Sequence, residues 1–152
     1  MKKLIDYIKH NKEYIIFCFF IISALGWLLE MSYSLIFRNK LVYPGVLYGP
    51  WCPVYGITFV FLLLCINTSN HKVGNIIKIF LIVSFIEYFT SYLCEKLLHR
   101  LIWNYSKFPL NINDRICLHM SIIFAFFSYI GITYAEKPLR YLYQQFSHNI
   151  NL

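Results

Sequence analysis

Apolar residues come in long runs along this chain rather than in alternation, and the polar residues gather between them. Runs of membrane-crossing length, about 20 residues for a hydrocarbon core about 30 Å thick, begin near Tyr14, Val54, Asn75 and Ile116. They predict spanning helices over about 14–37, 54–67, 75–101 and 116–135. The second run is short, so part of the stretch before it must also lie at membrane depth. Ahead of the first run, "MKKLIDYIKHNKE" sets Leu4, Ile5 and Ile8 on one helical face and Lys2, Lys9 and Lys12 on the others. That pattern reads either as a short helix lying in the interface or as a frayed basic tail. The closing "EKPLRYLYQQFSHNINL" carries Pro138 where the first turn of a short surface helix accepts it.

Two connections break the pattern. "LVYPGVLYGPWCPVYG", Leu41 to Gly56, has almost no charge, yet its prolines and glycines forbid an ordinary helix. Pro44, Pro50 and Pro53 stop a helix, while Gly45, Gly49 and Gly56 permit close approach and unusual dihedrals. Irregular backbone at membrane depth is tolerated only where protein or water satisfies its N–H and C=O groups. The stretch therefore reads as a re-entrant or tightly folded loop over polar groups. Tyr43, Tyr48, Trp51 and Tyr55 then form either a binding wall or an aromatic belt. The second connection, "WNYSKFPLNINDR", supplies Trp103, Asn104, Tyr105, Asn111 and Asp114.

The two connections are related by sequence. A shift of 65 positions lays Glu30 on Glu95, Asn39 on Asn104, Pro44 on Pro109 and Cys52 on Cys117 without a gap. Phe20 and Phe85, Leu28 and Leu93, and Phe59 and Phe124 continue the frame. Each unit is helix, irregular loop, helix, which predicts a parallel repeat about an axis along the membrane normal. The expected fold is all-α and integral to the membrane. Its four transmembrane helices form two parallel helix-loop-helix repeats, residues 14–66 and 75–135, within a single transmembrane domain. An N-terminal interfacial segment, 1–13, and a C-terminal surface segment, 136–152, flank them.

Composition agrees with this pattern, since 59% of the 152 residues are apolar and 14% charged. No small-x-small cleavage site follows Ser23-Ala24, so the first run is expected to stay with the chain. The net charge of +7 is spread in ones and twos beside apolar runs, which points to lipid headgroups and away from nucleic acid. With the N-terminus inside, that side carries Lys2, Lys3, Lys9, Lys12, Lys72, Lys78, Lys137 and Arg140. The other carries Arg38, Lys40, Lys96, Arg100, Lys107 and Arg115. The bias favours both termini in the cytoplasm of a multi-pass cell-membrane protein. Among five cysteines no C-x-x-C pair occurs, so neither a metal site nor a cofactor is expected.

Ionisable groups inside a span are costly and usually face a partner or cavity. Counting about 1.5 Å per residue puts Glu87 about 16 Å into the third helix and Glu30 about 24 Å into the first. Glu87, Ser91 and Glu95 share one helical stripe. Glu87 is either part of a functional site or a buried structural hydrogen bond. Glu30 and Glu95 either join that site, snorkel to the surface, or pair with Arg38, Lys96 or Arg100. Arg115, expected at the start of the fourth helix, is the natural guanidinium partner for a carboxylate. Asn113 or Asp114 would cap that helix. Gly49, Pro50, Trp51 and Cys52 line the matching helix start in the first unit. Cys52 and Cys117 would lie within bridging reach only if the pseudo-axis brings those starts together.

"GWLLE", "GVLYGPWCPVYG", "EYFTSYLCEKLLHRLIWNYS" and "FPLNINDRICL" together resemble the bacterial integral-membrane family described as putative ABC-transporter type IV. The resemblance runs from about Gly26 to Gly131. It falls on Gly26, Trp27, Glu30, Gly45, Tyr48, Gly49, Pro50, Cys52, Pro53, Tyr55, Gly56, Glu87, Tyr88, Glu95, Trp103, Tyr105, Ser106, Asn111, Arg115 and Cys117. It implies a permease-like transport subunit. The chain has no G-x-x-x-x-G-K-[ST] loop, so an ATPase would be a separate subunit. Four spans rarely enclose a path, so a homo-oligomer or another membrane subunit is expected too. Two other readings stay open: an enzyme embedded in the membrane and acting on a lipid or lipid-linked substrate, or a scaffold for assembly.

Overall fold

The structure, a computed structural model, describes residues 2–39, 49–66, 72–99 and 101–150. The expectations for Tyr43, Pro44, Gly45 and Tyr48 lie outside the described residues. Helix α1 spans Lys2–Arg38, with one departure from helical dihedrals at Asn11 (φ −114°, ψ 17°). There the Asn11 side-chain amide donates to the Tyr7 carbonyl at 2.9 Å, competing with the backbone ladder. The segment ahead of the first span and the span itself are thus one kinked helix. Helices α1 and α3 (Lys72–Leu98) each end on a left-handed residue, Asn39 at φ 48° and His99 at φ 52°. A residue in that conformation turns the chain off the helix axis.

Helix α2, Pro53–Cys65, opens with proline at its first position, where the missing N–H costs no hydrogen bond. Its 13 residues rise about 20 Å, short of a bilayer core of about 30 Å. Between α3 and α4 lies a small hairpin, an exception to the all-α expectation. Strand β1, Asn111–Ile112, pairs antiparallel with β2, Ile116–Cys117. Helix α4, Leu118–Ile130, continues through a π-helical turn, Gly131–Ala135, into α5, Glu136–Ile150. The wide turn falls just before Pro138, whose ring and missing N–H disturb the regular ladder, so the helix bulges there instead of stopping. Among the described residues three helices are long and apolar enough to cross a membrane, over Lys12–Ile36, Val73–Leu98 and Leu118–His148.

Helix α1 packs on α2, α3 on α4, α2 on α3, and α5 returns against α1. The closest approach is between α1 and α2. A Cβ on Gly26 would overlap the Tyr55 ring, and one on Gly56 would overlap the Ser23 hydroxyl and the Phe19 carbonyl. Small residues let helix backbones meet where lipid provides no hydrophobic drive between them. The apolar core of Tyr14, Cys18, Phe59, Leu62, Ile79, Val83, Ala125, Ile132 and Leu139 gathers at the end where α1 begins its span and α2 ends. The buried polar residues Glu87, Ser91 and Ser121 lie toward the opposite end, where the irregular connections enter. Large apolar side chains such as Ile16, Leu29, Phe85, Leu97, Phe126 and Phe127 point outward, as lipid-facing positions do.

Candidate functional site: two tyrosine-bound carboxylates

The polar end is built from both halves of the chain. In the first, the Tyr55 hydroxyl donates to Glu30 Oε1 at 2.9 Å, and the Cys52 thiol lies 3.9 Å from the same oxygen. Cys52 is set in place by its backbone N–H, which donates to the Ser23 carbonyl at 3.1 Å. In the second half, the Tyr105 hydroxyl donates to Glu87 Oε1 at 2.9 Å. Burial, then the adjacent Glu87 carboxylate, and to a smaller degree Cys117 and Glu30, hold the Tyr105 hydroxyl above its ordinary pKa. The two carboxylate–tyrosine pairs lie at the same, polar end of the bundle.

Glu87 is only 5% exposed, and its Oε2 has no hydrogen-bond partner. The buried Ser121 hydroxyl faces that carboxylate within hydrogen-bonding reach, though no bond to Oε2 closes in this geometry. One turn either way along α3, the buried Ser84 and Ser91 hydroxyls also lack partners. Polar atoms taken from water without a hydrogen bond are expensive, most of all on a carboxylate. The face of α3 from Ser84 to Ser91 is therefore a line of acceptors and donors able to take a proton, a cation or the polar group of a ligand.

Arg115 and Glu95 form an ion pair, with Arg115 mostly buried and Glu95 partly exposed. The guanidinium also lies over the Tyr88 and Tyr92 rings, 5.7 and 5.8 Å from their centroids, while its Nε has no partner. Arg115 does not begin α4. It closes the hairpin turn with its N–H donating to the Ile112 carbonyl at 3.1 Å. Asn113 and Asp114 do not cap α4 either. They take left-handed φ of 51° and 59°, which short polar side chains tolerate, and so turn the hairpin. Cys117 occupies the cap position without a side-chain bond.

Most predicted loop residues hold the loop together. Trp103 Nε1 donates to the Arg115 carbonyl at 2.8 Å, Asn104 Oδ1 accepts from the Ser106 N–H at 2.7 Å, and the Asn111 amide donates to the Phe108 carbonyl at 2.8 Å. The Tyr105 N–H donates to the Asp114 carbonyl at 2.8 Å, which aims its ring inward. Gly49 takes a left-handed φ of 116° and its carbonyl accepts from the Trp51 N–H at 2.9 Å. Trp51 stacks edge-on to Phe20 at 5.4 Å, on the apolar side, and Pro50 is exposed. Cys52 and Cys117, each immediately before a 13-residue helix, are buried free thiols.

The family described as putative ABC-transporter type IV matches residues 17–152. The chain belongs to that family. No curated protein and no solved structure matches it. With its three spanning-length helices this member of the putative ABC-transporter type IV family is a multi-pass membrane protein, consistent with a transporter-like membrane subunit. The family match takes in every residue of the polar cluster, from Ser23 to Ser121. Among the described residues no group of three His, Cys, Asp or Glu side chains could hold a metal ion. Ser84, Ser121 and Ser23 went unread in the sequence. The stripe at Glu87 and Ser91, extended one turn back, would have found Ser84; Ser23 and Ser121 carry no sequence signal beyond being polar in an apolar run.

Proposed function

We propose that this chain is the membrane-spanning subunit of a transporter, with a polar intramembrane site formed by Glu30, Glu87, Ser91, Glu95 and Arg115. The observation that carries this reading is Glu87, buried in a spanning-length helix with one carboxylate oxygen unpartnered beside unpartnered serines. A purely structural carboxylate would have both oxygens satisfied. In this reading α2 is a fourth crossing, completed by the connection before it, and the chain is two parallel repeats. The matching positions of Cys52 and Cys117 before helices of equal length support the repeat. Both termini lie in the cytoplasm of the cell membrane, a separate ATPase drives the cycle, and a second copy or another membrane subunit completes the path.

The enzyme alternative has less support. Arg115, the group that would hold a phosphate, is engaged by Glu95, and the Cys52 thiol faces the Glu30 carboxylate at 3.9 Å. The deciding experiment is purification at native expression in mild detergent, with identification of co-purifying proteins and an ATPase assay. A stoichiometric nucleotide-binding subunit whose coupled activity is lost in Glu87→Gln supports transport. A folded Glu87→Gln variant with full activity, or an ATPase-free particle that turns over lipid substrates, overturns it.

A further inference from the structure

A second polar site lies at the other end of the bundle, away from the carboxylate cluster. The bend at Asn11 and the opening turns of α5 enclose a cavity of about 190 Å³, lined by Lys9, Lys12, Glu13, Tyr14, Arg140 and Tyr143 among others. Its floor is firm. Tyr14 is 2% exposed, its ring meets that of Tyr143 edge-on at 5.5 Å, and its hydroxyl donates to the Glu136 carbonyl at 3.3 Å. The Arg140 guanidinium lies 4.5 Å over the Tyr14 ring and is steadied by Glu136 at 3.1 Å. The one carboxylate in the lining, Glu13, accepts from the Tyr143 hydroxyl at 3.2 Å. Lys9 and Lys12 are in no ion pair among the described residues. The cavity thus presents two lysines outside any described ion pair, with Arg140 shared with Glu136, against the one carboxylate of its lining.

Size and position narrow the ligand. The volume is below the several hundred Å³ of a drug-sized pocket but several times the roughly 30 Å³ that one water occupies in the liquid. It suits a small anionic group. Beside it, Ile8, Ile16, Leu142 and Phe146 stand exposed, an apolar surround on which acyl chains can lie. We propose that this cavity binds the phosphate of an anionic phospholipid headgroup, with Lys9 and Lys12 as its cationic contacts and Arg140, held by Glu136, beside them. Lysines at a membrane surface contribute about 1 kcal/mol each, so loss of both corresponds to about thirtyfold weaker binding.

The test uses the full chain in a neutral detergent. Its melting temperature is followed as phosphatidylglycerol, phosphatidylcholine, inorganic phosphate or glycerol 3-phosphate is added, because a ligand of the native state raises it with concentration. Phosphatidylglycerol is expected to raise it and phosphatidylcholine not. The concentration needed should rise about thirtyfold in Lys9→Gln/Lys12→Gln and stay unchanged in Lys96→Gln, which removes an exposed charge elsewhere. Stabilisation by soluble phosphates at similar concentrations would keep the phosphate site and assign it a soluble ligand. No stabilisation by any phosphate, or an equal response in the double variant, overturns the proposal. The two substituted lysines are exposed, so the double variant is expected to fold.

Discussion

Each half of the molecule holds a carboxylate with a tyrosine hydroxyl at 2.9 Å, yet the two pairs are built differently. Tyr55 belongs to α2 and reaches Glu30 across a helix contact so close that Gly26 accommodates its ring. Tyr105 belongs to an irregular connection whose own hydrogen bonds hold it, and it reaches into the middle of α3. Glu30 also has the Cys52 thiol nearby, whereas Glu87 keeps Oε2 unpartnered. One pair is locked by helix packing; the other is held by a self-supporting loop and leaves an atom open for chemistry. The difference marks Glu87 as the more open of the two carboxylates in the proposed site.

The strongest way to break the comparison is to part α1 from α2. Gly56→Leu places side-chain atoms where the Phe19 carbonyl and Ser23 hydroxyl already stand. Overpacking of this kind costs about 1–3 kcal/mol, and more where backbone blocks relief. The expected outcome is a large loss of folded protein in detergent, read as yield and melting temperature. If Gly56→Leu keeps the wild-type melting temperature, the close approach is not what positions Tyr55.

The pairs can next be compared directly. Tyr105→Phe removes the donor to Glu87 Oε1 and should cost about 2 kcal/mol, the value of a buried hydrogen bond to a carboxylate. Tyr55→Phe should cost about 1 kcal/mol, because Glu30 retains other contacts. Denaturant unfolding of the two variants in the same detergent measures the order. Equal costs would mean that the open oxygen of Glu87 finds a partner as readily as Glu30 does. Glu87→Gln sharpens the contrast, since it keeps the shape of the side chain and should reduce function far more than stability.

The sequence made some of this visible and hid the rest for physical reasons. Glu87, Ser91 and Glu95 were readable as a stripe because helical spacing fixes which side chains share a face. Arg115 was readable as a partner because a guanidinium beside apolar spans needs an anion. The hairpin was not, because "NINDR" lacks glycine and its turn depends on Asn113 and Asp114 taking left-handed dihedrals. With Arg115 assigned to a helix, the same residues read as caps. The π-turn before Pro138 was missed because proline marks a disturbance without saying whether the helix ends or bulges. The Tyr55–Glu30 and Tyr105–Glu87 contacts join residues 25 and 18 positions apart, beyond any local periodicity.

The smallest expected effect concerns the third carboxylate. Glu95 aligns with Glu30 when the sequence is shifted by 65 positions, yet its partner is an arginine from the hairpin and its side chain is 39% exposed. An ion pair open to solvent on one side is screened and contributes about 1 kcal/mol or less. Glu95→Gln should therefore lower stability by no more than that, and the loss should shrink as salt is raised, since mobile ions screen the charge that is removed. Arg115→Lys is the harsher change, because lysine keeps the charge but loses the planar contact with Tyr88 and Tyr92. If Glu95→Gln proves as costly as Tyr105→Phe and its cost ignores salt, the Glu95–Arg115 pair is sealed from solvent. The polar site would then extend from Glu87 to the hairpin.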